Sequence, residues 1–425
     1  MKLNNSKRLF KKSIKKIPLA SQTFSKSYLF FDKEHSPLFA TRGKRQYVFD
    51  VDGNKYLDLI NALGSISIGY SIPSINKKIS NGLKNGITFS LSHPLELEVA
   101  KQISSCVKSA EMTRFGKNGS DVTTAAIRLA RHYTKRNKIA VCGYHGWHDW
   151  YISSTNMDNG IPKYINKDVD KFEYKNIEIL KKLFKKNKYG NVIIEPLSIN
   201  LPKNNFLKKI EKLCKKNKTL LIFDEICTGF RVSIGGAQKI YGVSPDLTTL
   251  GKGIANGMPI SALVGKKEIM NTTENIFFSS TFGGETLSLI SCLETIQFMK
   301  KNKSINKNNK FGKKIKNELN KYLKTLNLID LIELSGHPTW LFLKIKEIKG
   351  SSTNLIKSYI YQEMVKNKIL FLGSININYS FTEKNILKII KVFKKIFYNI
   401  KLNQNNLINK TYYKLPESIF KVRSK

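Results

Sequence analysis

Short apolar runs alternate with stretches of helical period through the middle of the chain. Residues 139–142, 192–194, 220–223 and 262–264 are almost wholly apolar, the pattern of strands covered on both faces. Between them, 123–135 and 206–216 carry apolar residues at helical spacing. Strands alternating with helices predict an α/β fold with a mainly parallel, doubly wound sheet. Upstream, Tyr47 to Asp58 alternates around Asp52-Gly53 and reads as a β-hairpin. The apolar, glycine-containing stretch from Leu57 to Tyr70 reads as a strand and loop. Beyond about residue 300 a basic helical stretch precedes a strand at 340–345 and a helix at 383–397, a second α/β unit. Leu9, Phe10, Ile14 and Ile17 fall near helical spacing and predict a short helix docked on the body or on a partner subunit. Asn403 to Lys425 is polar and reads as a loosely held tail. The expected division is an N-terminal segment with part of a small domain at 1–94, a large domain at 95–300, and the rest of the small domain with the tail at 301–425.

A length of 425 residues suits that division, and 41% hydrophobic and 11% aromatic residues are ample for a folded chain. No run of about 18 apolar residues occurs, so no membrane span or membrane partner is expected. The net charge of +42 invites a nucleic-acid reading. Yet only nine of the 73 basic residues are Arg, the side chain best suited to bidentate base contacts. The lysines are spread along the chain beside predicted helices, as solvated faces would place them. We therefore expect no nucleic-acid partner, but an attraction for anions, including phosphorylated cofactors and substrates. Five cysteines, an odd number without a CxxC pair, point to a reducing, cytoplasmic setting and away from disulfides or a metal site.

In open parallel sheets ligands bind beyond the carboxyl ends of strands, so the residues after each apolar run carry the interest. Asp224 ends the run 220–223, where a charge is costly unless paired. A protonated pyridine nitrogen is such a partner; a helix cap or structural ion pair is another. Lys252 lies between Gly251 and Gly253, 28 residues after Asp224. A lysine desolvated in that apolar setting would have a lowered pKa and serve as nucleophile and general base. Gly119 and Ser120 open the helix that follows Phe115-Gly-Lys-Asn. They suit a phosphate, or Ser120 is a plain helix cap. Tyr144, in Cys142-Gly-Tyr-His-Gly-Trp-His148, can stack on a flat ring or simply pack in a loop.

In this order and spacing the four motifs resemble the class III aminotransferases, enzymes of the pyridoxal 5'-phosphate (PLP) dependent transferase fold type I. The resemblance runs from about Pro18 to Phe397 and, with Asp52-Gly-Asn54 and Glu195-Pro196, is strongest to the glutamate-1-semialdehyde 2,1-aminomutase-like branch. It implies a large PLP-binding domain and a smaller α/β domain drawn from both termini. It implies that Lys252 holds PLP as a Schiff base and moves a proton, and that Asp224 pairs with the ring nitrogen. Gly119 and Ser120 would bind the phosphate and Tyr144 would stack on the ring. Asn200 matches an Asn near the cofactor. Thr281 matches a Thr that reaches the phosphate of the neighbouring subunit, which implies a homodimer with shared active sites.

The departures bear on the substrate. The aminomutases of that branch have Ser-Gly-Thr-Glu where this chain has Asn118-Gly-Ser-Asp121, and Gly-Asn-Met-Gly where it has Ile199-Asn-Leu-Pro202. They have Ser-Gly-Asn-Pro at Phe282-Gly-Gly-Glu285 and Ala-His-Thr at Ser380-Phe-Thr382. If Phe381 and Glu285 face a substrate pocket, a small diacid-derived substrate would be disfavoured; if both point away from it, they alter nothing. The expectation is an aminotransferase that uses a separate amino donor and carbonyl acceptor, with an aminomutase as the alternative.

Overall fold

The apolar runs are strands because each is covered on both faces. In a computed structural model, which describes residues 2–174, 176–348, 351–404, 406–413 and 415, they belong to one seven-stranded sheet. Its strands are β1 (Met112–Gly116), β2 (Ile139–Cys142), β3 (Val169–Lys171), β4 (Asn191–Ile194), β5 (Leu220–Asp224), β6 (Leu247–Leu250) and β7 (Ser261–Gly265). Across the sheet the order is β1-β7-β6-β5-β4-β2-β3. Strands β2 to β6 run parallel, and β7 is antiparallel to both its neighbours.

The period of two sorts the side chains onto two cores. Ile139, Val141, Ile193 and Ile222 pack with Val122 and Leu129 of α1 (Gly119–Thr134). Ala140, Val192, Ile194 and Phe223 face the other way, onto Leu180 of α2 (Ile177–Lys186) and Ile210 of α3 (Phe206–Lys216). The sheet is therefore doubly wound, as expected. A further helix, α4 (Thr286–Lys301), belongs to the same unit, which spans Gly64–Ser67 and Pro73–Ile305.

The second unit comes from both ends of the described chain: up to Leu63 with Ile68–Ile72, and the described residues from Asn306 to Leu415. The hairpin is present, Tyr47–Asp50 pairing antiparallel with Lys55–Asp58 around Gly53 at φ +80°. Ile369–Leu370 adds to it in parallel. A three-stranded antiparallel sheet holds Ile332–His337, Trp340–Ile345 and Ser374–Asn376. The helix Glu383–Leu402 buries Phe393 and Phe397 in this unit's core. The N-terminal helix, Asn4–Ser13, starts on Asp52, whose carboxylate accepts from Asn5 N at 2.8 Å and Ser6 N at 2.9 Å.

The tail differs from expectation in its described part. Leu407 is fully buried, and Leu415 N donates to Ser358 Oγ at 2.8 Å, so this stretch is packed and hydrogen-bonded. Residues 416–425 lie outside the described residues. Among the described residues no helix is long and apolar enough to cross a membrane.

Candidate active site

Four adjacent strands, β6, β5, β4 and β2, end side by side. Asp224 closes β5, Glu195 follows β4, Tyr144 and His145 follow β2, and Lys252 stands just past β6. Residues distant in sequence are thus delivered to one edge, the placement the sheet topology favours for a ligand.

Asp224 is buried and held on both oxygens. Its Oδ2 lies 2.8 Å from His145 Nδ1, and its Oδ1 accepts from Thr249 Oγ1 and Ile226 N, each at 3.2 Å. His145 is buried against Trp150, the rings 6.3 Å apart and inclined by 17°. Its Nε2 has no hydrogen-bond partner among the described residues. Glu195 accepts from Tyr144 N at 3.0 Å. Burial, and then the charge of Asp224, hold the Glu195 carboxyl above the usual range.

Lys252 has φ +43°, a left-handed backbone that costs a non-glycine residue roughly 1–2 kcal/mol. Its glycine neighbours let other segments close in. A Cβ on Gly251 would lie 3.0 Å from Ile226 Cδ1, and one on Gly253 would lie 3.3 Å from Ser67 Cβ. The lysine Nζ lies 2.6 Å from Cys227 Sγ. The expected lowering of its pKa is not what the structure gives. Burial does oppose the ammonium, but Cys227, Glu195 and Asp224 outweigh it and hold the pKa above the ordinary lysine value. Apolar neighbours were visible in the sequence; acids arriving from other strands were not.

The helix cap at α1 is Asn118, not Ser120, with the Asp121 carboxylate accepting from Asn118 N at 2.7 Å and Lys117 N at 3.1 Å. Gly119 and Ser120 therefore carry the first two amides of the helix, which have no partner within it. Both touch the strand-end cluster. A Cβ on Gly119 would meet Ile226 at 3.2 Å, and Ser120 Oγ accepts from Trp147 N at 3.3 Å. Gly146, at φ +101°, passes so close that a Cβ there would lie 2.3 Å from Ser120 Oγ. Tyr144 is 49% exposed, its ring edge-on to Tyr151.

Two candidates stand apart. Asn200 lies in the connection between β4 and α3, its carbonyl accepting from Ser198 N at 3.2 Å, and Thr281 is exposed in a turn before α4. No described hydrogen bond joins either to Asp224 or Lys252.

The structure also corrects the expectation about the substrate pocket. Phe381 is fully buried in the core of the unit formed by the chain ends. Glu285 caps α4, accepting from Leu287 N at 2.7 Å and Ser288 Oγ at 2.6 Å, and pairs with Lys117 Nζ at 2.8 Å. A carboxylate so engaged is neutralised and does not repel a substrate. His145 and Glu195 were present in the quoted motifs, and Cys227 lies three residues past Asp224, but no local signal marked their contacts.

A buried carboxylate braced by a histidine, an amine amid acids, and a helix start beside a glycine turn thus meet at one edge of the sheet. Residues 30–339 match the family model "Aminotransferase class-III". The chain belongs to the class III aminotransferase family, and its cofactor is PLP. It is 34% identical to the 3-aminobutyryl-CoA aminotransferase of Cloacimonas acidaminovorans over 379 residues, 87% of this chain and 90% of the relative. It is 36% identical to the glutamate-1-semialdehyde 2,1-aminomutase of Wigglesworthia glossinidia brevipalpis over 422 residues, 92% and 97% of the two chains. A solved transaminase with PLP bound shares the fold at a TM-score of 0.85 and 21% identity, covering 95% of this chain and 99% of that one.

Proposed function

We propose that this protein transfers an amino group from a donor to a separate carbonyl acceptor, with Lys252 as the lysine that holds PLP and carries the proton. The observation behind this is the cluster of Asp224, His145 and Lys252 at adjoining strand ends. PLP, once bound, supplies an electron sink that stabilises a carbanion next to its imine. Asp224, fixed by His145 and Thr249, keeps a negative charge where the ring nitrogen must stay protonated. The amides of Gly119 and Ser120, with the Ser120 hydroxyl, hold the phosphate. Tyr144 would cover the ring, and the place of Asn200 near it rests on the family resemblance alone. The 34% identity to an aminotransferase supports transfer between two molecules, as do the departures at 118–121 and 199–202.

The second reading, intramolecular transfer in glutamate-1-semialdehyde to give 5-aminolevulinate, is favoured by 36% identity across 92% of the chain. With Phe381 buried and Glu285 neutralised, neither residue opposes it. One assay separates the two. A transaminase stalls after one donor turnover until an acceptor is added, the ping-pong pattern of a covalent intermediate. We expect that stall. Glutamate-1-semialdehyde supplied alone and converted through many turnovers would establish the aminomutase instead.

The site is completed, in this reading, by a second copy of the chain. The segment around Thr281 exposes Phe277 (83%) and Phe282, and it adjoins the segment that exposes Leu91 (85%). Thr286 N donates to Ile87 O at 3.0 Å, and a Cβ on Gly284 would lie 2.6 Å from Glu96 Oε1. Large apolar side chains on adjoining exposed segments are what a subunit interface covers. Thr281 then reaches the partner's phosphate. Thr281→Ala is expected to weaken PLP binding by about 1 kcal/mol or somewhat more, the scale of one hydrogen bond to a charged group. Sedimentation should give a dimer; a fully active monomer would refute the shared site.

A further inference from the structure

Cys227 sits where the reacting lysine ends. It lies in the turn after β5, three residues beyond Asp224, and its sulfur is 2.6 Å from Lys252 Nζ. The lysine nitrogen and the sulfur are therefore in direct hydrogen-bond contact. We propose that Cys227 is a positioning and proton-holding partner of Lys252, engaging the lysine amine whenever it is not bound to the cofactor. This rests on the reading of Lys252 as the PLP lysine.

The chemistry balances without any redox step. Ammonium with thiolate, and amine with thiol, differ only in which atom carries the proton. To attack the carbonyl carbon of PLP the nitrogen needs its lone pair, so the ammonium must first lose a proton. Once the pair has given up one proton to solvent and the sulfur is a thiolate, the sulfur accepts the ammonium's proton, and the N–H bond is exchanged for an S–H bond. When the lysine is later displaced and leaves as an amine, the proton returns along the same contact. A hydrogen bond to sulfur also restrains a flexible four-carbon chain, which otherwise loses rotamer freedom on reaching its working position.

The surroundings make the pair sensitive to this proton. Glu195 after β4, Asp224 at the end of β5 and Tyr144 after β2 all act electrostatically on the lysine or are acted on by it. His145 reaches the pair through Asp224. Arg231 is buried and donates to Gly64 O, and it interacts electrostatically with Cys227. Burial, joined by the charges of Glu195 and Asp224, pushes the Cys227 thiol up, and Lys252 opposes that push. Lys252 thus favours the thiolate, while Glu195 and Asp224 favour the thiol. Methylenes alone at this position would fill the space but exchange nothing.

The test uses the enzyme freed of PLP with phenylhydrazine, in wild-type, Cys227→Ala and Cys227→Ser forms. PLP is added back across a pH series, covalent capture is followed by absorbance, and borohydride-reduced adducts are located by peptide mass. Removing the sulfur removes a group that favours the ammonium. The midpoint of capture against pH should therefore move down by roughly one unit in Cys227→Ala. Serine can hold the amine but does not take its proton, so its midpoint should follow the alanine variant while its PLP affinity follows wild type. Should Cys227→Ala fail to fold, the serine variant alone reads the shift. A midpoint that stays put, or rises, in the variants overturns the proposal and leaves Cys227 a packing residue. If wild type itself gives no adduct on Lys252, it is the assignment of Lys252 that falls.

Discussion

Replacing Lys252 by alanine is expected to cut turnover by about 1,000-fold or more, because two functions leave together. General-base proton transfer by a positioned side chain is alone worth about 10²–10⁴-fold, and the covalent link to the cofactor is lost with it. The loss should not come from misfolding. The backbone at 252 is left-handed, and alanine is no more strained there than lysine. The variant takes a cation away from Glu195 and Asp224, but each keeps its own hydrogen bonds, Glu195 to Tyr144 N and Asp224 to His145, Thr249 and Ile226 N. The wild-type enzyme should be yellow, borohydride should bleach it, and peptide mapping should place the reduced adduct on Lys252. An adduct on another lysine, or a Lys252→Ala variant that turns over normally, would remove the residue from the chemistry.

The central strands were legible because burial on both faces leaves nearly unbroken apolar runs. Residues 192–194 and 220–223 are such runs, and the structure extends each by a single residue. The edge strands β1 and β3 were not legible. Met112–Gly116 has one face partly solvated and reads Met-Thr-Arg-Phe-Gly, which no periodicity separates from a loop. Asp224, Lys252 and the helix start at 119 were visible because turn chemistry follows the strands that carry them. Their mutual geometry was not. His145 meets Asp224 across 79 residues and Cys227 meets Lys252 across 25, and neither contact has a local signature. The reading of Glu285 failed for a related reason. Position along the chain does not give orientation, and glutamate is an uncommon helix cap, so its engagement with Leu287, Ser288 and Lys117 had no signal in the sequence.

The same geometry sets what Asp224→Asn should do. The amide keeps the shape of the carboxyl group and can still meet Thr249 and His145, so the fold and the phosphate site should persist. What it lacks is the negative charge. In the wild-type protein that charge is buried at the end of β5, fixed by His145 Nδ1 at 2.8 Å and Thr249 Oγ1 at 3.2 Å, and so aimed before any ligand arrives. A preorganised charge in a buried site needs no reorganisation during the reaction, which is why losing one such partner costs about 100-fold or more in rate. On the proposed assignment the ring nitrogen would then lose the group that keeps it protonated, and the electron sink would weaken. Glu195 does not substitute. Its carboxyl is held above the usual range by burial and by Asp224 itself, and it is committed to Tyr144 N. We therefore expect Asp224→Asn to retain PLP through Lys252 and the amides at 119–120, to show the cofactor's absorbance, and to turn over at least about 100-fold more slowly. Loss of PLP without loss of rate per bound cofactor would assign Asp224 to binding alone, and near-full activity would make it a structural acid that merely braces His145.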